Sequence, residues 1–470
     1  MRLNAIAVLI FATPSLILFP ALHAQSAPVP PVHDAPTPVL VTDSIETPIQ
    51  PDEHPLTGGM ELGIGSWGPR HSYLTPSIRF AQTLESNPLL TGGSSDSYRG
   101  FTSFAGETQL VRYFGQTGEL RYAGAARYDS RAAIQGQDKF TNTHNFSLLK
   151  QFRVENWNLL FDDEVQYSQG SNFGAAGMEG LGNVLGQLSQ WSGTSTSQLA
   201  SSTLRPDVAP DQSILTGRTG RVSDALLGQA EFHINARDVI TAAGTYSLLH
   251  FTSGPYNDSR QAGVLGGYNR ALSSRDSFGI GASYTHITFP DLPNMVSVAT
   301  VTGIYARRVS GRLSIEGGIG PQFDKNDEGA TSHNHVSWQG HASANYRAKR
   351  LMLSTRFDRA TSAGSGVLAG ATNTQLQESS SFVVSRNWSS AVNFGVSKNK
   401  RLDGRGEYNT QFAGVTLTRT CSTYTSIFAN YNFERQTAPS NCTANTCSYA
   451  GHRNVFGIGL AWNYRPIGIE

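Results

Sequence analysis

Past residue 24 the sequence has no apolar run long enough to cross a membrane as a helix, which takes about 20 consecutive apolar residues. It has little charge of either sign: charged residues are 15% and the formal net charge is +1, so nothing attracts nucleic acid. No block repeats at a helical period. Catalytic signatures are missing too. There is no Gly-x-Ser-x-Gly elbow, no His-Glu-x-x-His and no phosphate loop with its lysine. "GLGNVLG" (Gly180–Gly186) and "GGIGP" (Gly317–Pro321) match Gly-rich motifs only superficially, the first as loop and the second as strand. No cofactor or metal is expected, and the chain is expected not to be an enzyme.

What is present starts with an export signal. Arg2 precedes the apolar segment "AIAVLIFATPSLILF", and "ALHA" ends in a small residue, so cleavage is expected after Ala24. Residues 25–57 are Pro-rich and read as a flexible periplasmic linker. Residues 58–71 carry no clear signal. An exported chain without a membrane helix crosses a membrane with strands or not at all. In lipid only a closed barrel satisfies the backbone of strands.

From Ser72 onward, short polar turns recur. "NARD" (Asn235–Asp238), "SSRD" (Ser273–Asp276), "VSGR" (Val309–Arg312), "AKR" (Ala348–Arg350), "SRN" (Ser385–Asn387) and "RTCS" (Arg419–Ser422) follow one another at roughly 37 residues. Longer connections alternate with them. The longest is Gln169–Arg221, which is expected to fold over or into the mouth of a pore. This predicts an all-β chain: one antiparallel transmembrane β-barrel over 72–464, with about 18 strands (roughly 16–20), short periplasmic turns and longer extracellular loops. Residues 465–470 form a tail.

Alternation within strands supports the barrel. Phe278, Ile280, Ala282 and Tyr284 oppose Ser277, Gly279, Gly281, Ser283 and Thr285, so one face suits lipid and the other water. Two strands fit poorly. Gln375–Arg386 is mixed, and Trp157–Ser168 puts Asp163 among outward apolar residues, which a bulge or another register would relieve. Candidate pore-lining residues are Asp162, Glu164, Arg312, Glu316, His341, Arg347, Arg356, Asp358 and Glu434. They carry both signs, and their other reading is cross-bracing of the interior.

Three further groups stand out. "HNH" (His333–His335), near Asp327 and Glu328, reads as a solvated outer loop rather than a metal site. His286 near the top of an outward row, with Ser297 opening the next strand, is a lipid-hydrolase candidate without an evident third group. Cys442 and Cys447 frame an outer loop, and a disulfide between them is expected, with Cys421 free in a periplasmic turn.

The last strand, "VFGIGLAWNYRPIGIE", carries Gly459, Trp462 and Tyr464 where outer-membrane proteins have their final-strand signal. The likeness implies that this signal is read by the barrel-assembly machinery. With "TPSIRFAQTLESNP" as the opening strand, the Arg-bearing turns and "GSGVLAG" (Gly364–Gly370), residues 72–464 resemble porin-like outer-membrane barrels of Gram-negative bacteria, of the type found beside exopolysaccharide or exosortase systems. The resemblance implies an outer-membrane location, lipid around the barrel, and small solutes or polysaccharide as partners. It implies a passive channel, with a structural or surface-display barrel as the other reading.

Overall fold

The computed structural model describes residues 72–86, 98–114, 118–130, 139–169 and 220–469, apart from 236, 253–255, 274, 330, 365–367, 403–405 and 438–450. The expected signal, the linker, residues 58–71, most of the Gln169–Arg221 connection, and Cys442 and Cys447 lie outside the described residues.

The described chain is all strand. In order these are β1 (Tyr73–Ser86), β2 (Tyr98–Phe114), β3 (Gly118–Asp129), β4 (Phe140–Val154), β5 (Trp157–Gln169) and β6 (Gly220–His233). Then come β7 (Asp238–Phe251), β8 (Ser259–Ala271), β9 (Asp276–Thr288), β10 (Asn294–Ser310), β11 (Leu313–Glu328) and β12 (Thr331–Arg347). The last are β13 (Leu351–Ser362), β14 (Ala371–Ser385), β15 (Trp388–Arg401), β16 (Glu407–Thr420), β17 (Thr425–Thr437), β18 (Gly451–Asn463) and the short β19 (Ile467–Gly468). Each long strand pairs antiparallel with its neighbour in sequence, and β18 pairs with β1 from Ser77↔Asn463 to Glu85↔Val455. The sheet is therefore a closed barrel of 18 long strands. Part of the expected tail joins the wall: β19 continues the seam by pairing Ile467 and Gly468 with Leu74 and Tyr73.

The recurring turns have a local cause. Asn235 Oδ1 accepts the N–H groups of Arg237 and Asp238 at 2.8 and 3.0 Å. Ser273 Oγ accepts those of Arg275 and Asp276, both at 3.0 Å. Ser310 and Ser422 do the same for the residues two and three further on. A short oxygen-bearing side chain at the first turn position satisfies N–H groups that the ladder leaves open. Across the next strands, Tyr268 donates to Asp238 at 2.5 Å and Tyr305 to Asp276 at 2.7 Å.

The two faces of the wall differ in kind. Outward lie exposed apolar side chains, among them Val264, Ile280, Ile319, Phe323, Val336 and Leu460. Inward lie buried polar ones, including Glu231, Gln322, Thr410 and Asn432. An apolar exterior over a polar interior is the pattern that a bilayer around a barrel demands.

Of the two awkward strands, β5 keeps its register throughout, and β14 keeps it up to Val383, where its pairing with β15 shifts by one residue before Ser385↔Trp388. Asp163 stands on the outward face between Leu148 and Leu226 in an unbroken ladder, so neither a bulge nor a slip relieves it. Asp224 on β6, diagonal to it, is also outward. On β14, Glu378 faces outward between Thr355 and Phe394. A lipid-facing acid at mid-depth costs something below the roughly 2–4 kcal/mol of a basic one. Asp163→Leu is therefore expected to stabilise the barrel, by about 1 kcal/mol on that scale. A urea-unfolding titration in lipid vesicles checks it, and a lowered midpoint would contradict it.

Candidate functional site: the lumen and its inward loop

The lumen is lined by alternate residues of all 18 strands, and its walls differ. From β1 to β6 the inner face is charged, and its charges are paired, across neighbouring strands or along a single one. Arg79 meets Glu107 at 3.1 Å and Arg127 meets Asp129 at 2.7 Å, while Arg121 pairs with Glu119. At the seam Arg453 lies 2.7 Å from Glu85 and 3.8 Å from Glu434, joining β18 to both β1 and β17. On β4–β8 an apolar patch faces inward, with Leu160, Leu227 and Ala243 at its centre and Leu149 and Leu265 against them. From β14 to β17 the inner face is mostly amide and hydroxyl: Asn373, Gln377, Asn393, Asn399, Thr410 and Asn432.

The sequence-derived candidates divide accordingly. Asp162, Glu164, Glu316, His341, Arg356, Asp358 and Glu434 all fall on the inward parity. The structure pairs His341 with Glu316 at 3.4 Å and Arg356 with Asp358 at 2.5 Å, and Asn145 donates to Glu164 at 3.0 Å. Arg347 ends β12 at the periplasmic rim, where its N–H donates to the Arg312 carbonyl at 2.7 Å. Arg312 is a correction. It sits exposed in the tight turn between β10 and β11, below the lumen wall, because the strand starts one residue later. His333 and His335 are corrected as well: they belong to β12 rather than to a loop, and His335 lies 3.8 Å from Asp324. Among the described residues no group of three or more His, Cys, Asp and Glu could hold a metal.

Cys421 is exposed and free in its turn. Unreduced protein is expected to show one reactive thiol, at Cys421, by maleimide labelling and peptide mapping. Three labelled thiols would refute the Cys442–Cys447 bridge.

The feature that sequence reading missed is the connection from β13 to β14. The β12–β13 ladder stops at Gly340↔Arg359, although both strands continue. Above that rung β13 leaves its neighbour and turns inward. Gln322, fully buried on β11, takes over: its Nε2 donates to Thr361 Oγ1 at 2.6 Å, and its Oε1 accepts the Thr361 N–H at 3.3 Å. The loop beyond is closed by its own bonds, Leu368 N–H to Gly364 C=O at 2.9 Å and Gly370 N–H to Ala363 C=O at 3.2 Å. Gly364 and Gly370 have φ of 79° and 85°, in the left-handed region that favours glycine.

The loop is held by apolar contacts on both sides. Ala369 packs on the inner faces of β9 and β10, against Ile287, Val296 and Val298. Leu368 packs with Ala371 and with Tyr408 of β16. A segment that leaves the wall at β13 and touches both β10 and β16 spans a chord across that sector of the mouth. The two glycines of "GSGVLAG" were the available signal, but glycine alone does not say which way a loop folds.

No protein-family model matches the sequence, and neither does any curated protein. Among solved structures, the chain is similar to the outer membrane protein OpdK of Pseudomonas aeruginosa, with 10% identity and a TM-score of 0.40 over 84% of this chain and 98% of that one. It is similar to a BenF-like porin from Pseudomonas fluorescens Pf-5, with 9% identity and a TM-score of 0.42 over 85% and 99%. It is also similar to OccK2 (OpdF) of Pseudomonas aeruginosa, with 10% identity and a TM-score of 0.41 over 85% and 98%. By its own apolar girdle, polar interior and closed ladder, the chain is an 18-stranded β-barrel of the outer-membrane type.

Proposed function

We propose that the protein is a porin-like passive channel of a Gram-negative outer membrane. One observation carries this reading: polar rows face inward around a full 18-strand circumference. Barrels of about 16–18 strands are wide enough to hold an aqueous lumen. The amide and hydroxyl wall on β14–β17 suits uncharged, hydroxyl-rich solutes, which supports the finer reading of a link to polysaccharide export. Conductance of the refolded full chain in a planar bilayer tests the proposal. Discrete single-channel steps are expected. A silent bilayer with correctly folded protein would replace the channel by a structural or surface-display barrel.

The pairing of lumen charges predicts weak ion selectivity. Arg453 stands between Glu85 and Glu434. Arg453→Gln removes the cation and keeps both carboxylates, so the reversal potential in a salt gradient is expected to move toward cation preference. An unchanged reversal potential would place this cluster away from the permeation path.

A further inference from the structure

The outward face of β8–β12 changes character abruptly near its outer end. One rung of the ladder carries Val264, Tyr284, Ala299, Phe323 and Val336 in register. Four of these are large and exposed, at 62%, 48%, 48% and 67% for Val264, Tyr284, Phe323 and Val336, as lipid-facing side chains are. The next outward-facing rung up reads Ala262, His286, Ser297, Lys325 and Asn334. Above it come Arg260, Thr288, Met295, Asp327 and Ser332, with Met295 the one apolar side chain among them. The rung of His286 and Ser297 thus marks the boundary between the hydrocarbon band and the polar headgroups. Lipid acyl esters lie at that depth.

On this rung the structure joins a nucleophile to a base. His286 Nδ1 is 3.1 Å from Ser297 Oγ, across the β9–β10 pair. Tyr284, one rung below, donates its hydroxyl to the same Oγ at 3.2 Å. With Tyr284 donating, the Ser297 hydroxyl has its own hydrogen free for His286, whose Nδ1 accepts it when the ring proton is on Nε2. On the other side of Ser297, its register partner is Lys325, whose ammonium is held by Asp327 at 2.8 Å. A nucleophile and a base within hydrogen-bond reach, with a lysine on the neighbouring strand at the same rung, are elements from which acyl transfer is built.

We propose that Ser297 and His286 form a lipid-facing acyl-ester hydrolase site at the outer rim. Ser297 Oγ adds to the ester carbonyl carbon as its proton passes to His286 Nδ1. The tetrahedral intermediate collapses with cleavage of the bond between the acyl carbon and the alcohol oxygen, and His286 returns the proton to the leaving alcohol. Water, deprotonated by His286, then attacks the acyl-serine, releasing the fatty acid and restoring Ser297. Tyr284 positions Oγ, and Lys325 stabilises the oxyanion.

The test uses the full chain, refolded in detergent and in vesicles of phosphatidylethanolamine and phosphatidylglycerol. A long-chain alkyl fluorophosphonate is expected to label one peptide, carrying Ser297, as read by mass spectrometry. The vesicles are expected to release fatty acid, and Ser297→Ala and His286→Gln are each expected to slow that release by about 100-fold or more, the scale of a lost general base. Folding of each variant is read from the heat-dependent shift on an unboiled gel, and the labelling map on the unsubstituted chain needs no variant. Absence of label at Ser297, label without fatty-acid release, or release that survives Ser297→Ala overturns the proposal. Conductance measured on the same preparation reads the channel separately, because neither residue faces the lumen.

Discussion

Excising residues 364–369 and rejoining the strands with a short turn is expected to raise single-channel conductance severalfold and to admit larger solutes. The loop contributes no rung to the wall, since the β13–β14 ladder runs from Leu351↔Phe382 to Ser362↔Ala371 without it. Its removal should therefore leave a folded barrel with one obstruction fewer. It would also lose the burial of Leu368, worth roughly 1.5–3 kcal/mol for a side chain of that size. Gly370→Val approaches the same end by a smaller change. Its φ of 85° is strained for a β-branched residue, and a Cβ there would lie 2.9 Å from Val296 Cγ2 and 3.2 Å from Leu402 Cδ1. The strain and the clash favour an undocked loop, so the variant should show conductance intermediate between the native and excised forms. Equal conductance in all three proteins would mean that the loop is a surface ornament and that permeation is limited elsewhere.

The second large effect is expected at the seam. Gly459→Val should abolish most of the folded, heat-modifiable species. A Cβ at Gly459 would collide with the Phe80 carbonyl and the Phe428 ring, and a backbone carbonyl in a ladder cannot swing aside. Overpacking of this kind typically costs about 1–3 kcal/mol. Here the cost falls on the one pairing that closes the barrel, β18 with β1. If that ladder opens, N–H and C=O groups on two edges face hydrocarbon, at several kcal/mol for each unsatisfied group. Gly106→Ala is the control, because a Cβ there has nothing within 4 Å. A folded Gly459→Val barrel would show that the seam yields more than its backbone contacts suggest. The same glycine belongs to the final-strand pattern with Trp462 and Tyr464. Those two side chains stand 5.6 Å apart by ring centroid at the periplasmic end, and Tyr464 stacks on Tyr424 at 6.4 Å. Whatever reads the pattern during assembly, Gly459 is needed for packing in the finished wall.

The hairpins were legible because their causes are local. A Ser or Asn that accepts the N–H groups two and three residues along makes a tight turn wherever it occurs, and alternation decides which side of the wall each residue faces. Hence the strand number, the turn positions and the inward parity of Glu316, Arg356 and Glu434 could all be read before any coordinates. Asp163 was legible for the same reason, and the unbroken ladder around it shows that the parity rule outweighs the cost of one lipid-facing acid.

The remaining features depend on residues far apart in sequence. Nothing near Thr361 announces that Gln322, 39 positions earlier, will replace a missing rung. Nothing in "GSGVLAG" says that Ala369 will find Val296 and Leu368 will find Tyr408. Arg453 acquires Glu85 only when the last strand meets the first. Turn chemistry and a period of two sufficed for the wall, its strands and its two faces. The His286–Ser297 pair belongs to one hairpin and was legible with them; folding in three dimensions set the loop across the mouth and the ion pairs that join strands distant in sequence. Those follow from closure and register, which set neighbours that no local rule can name.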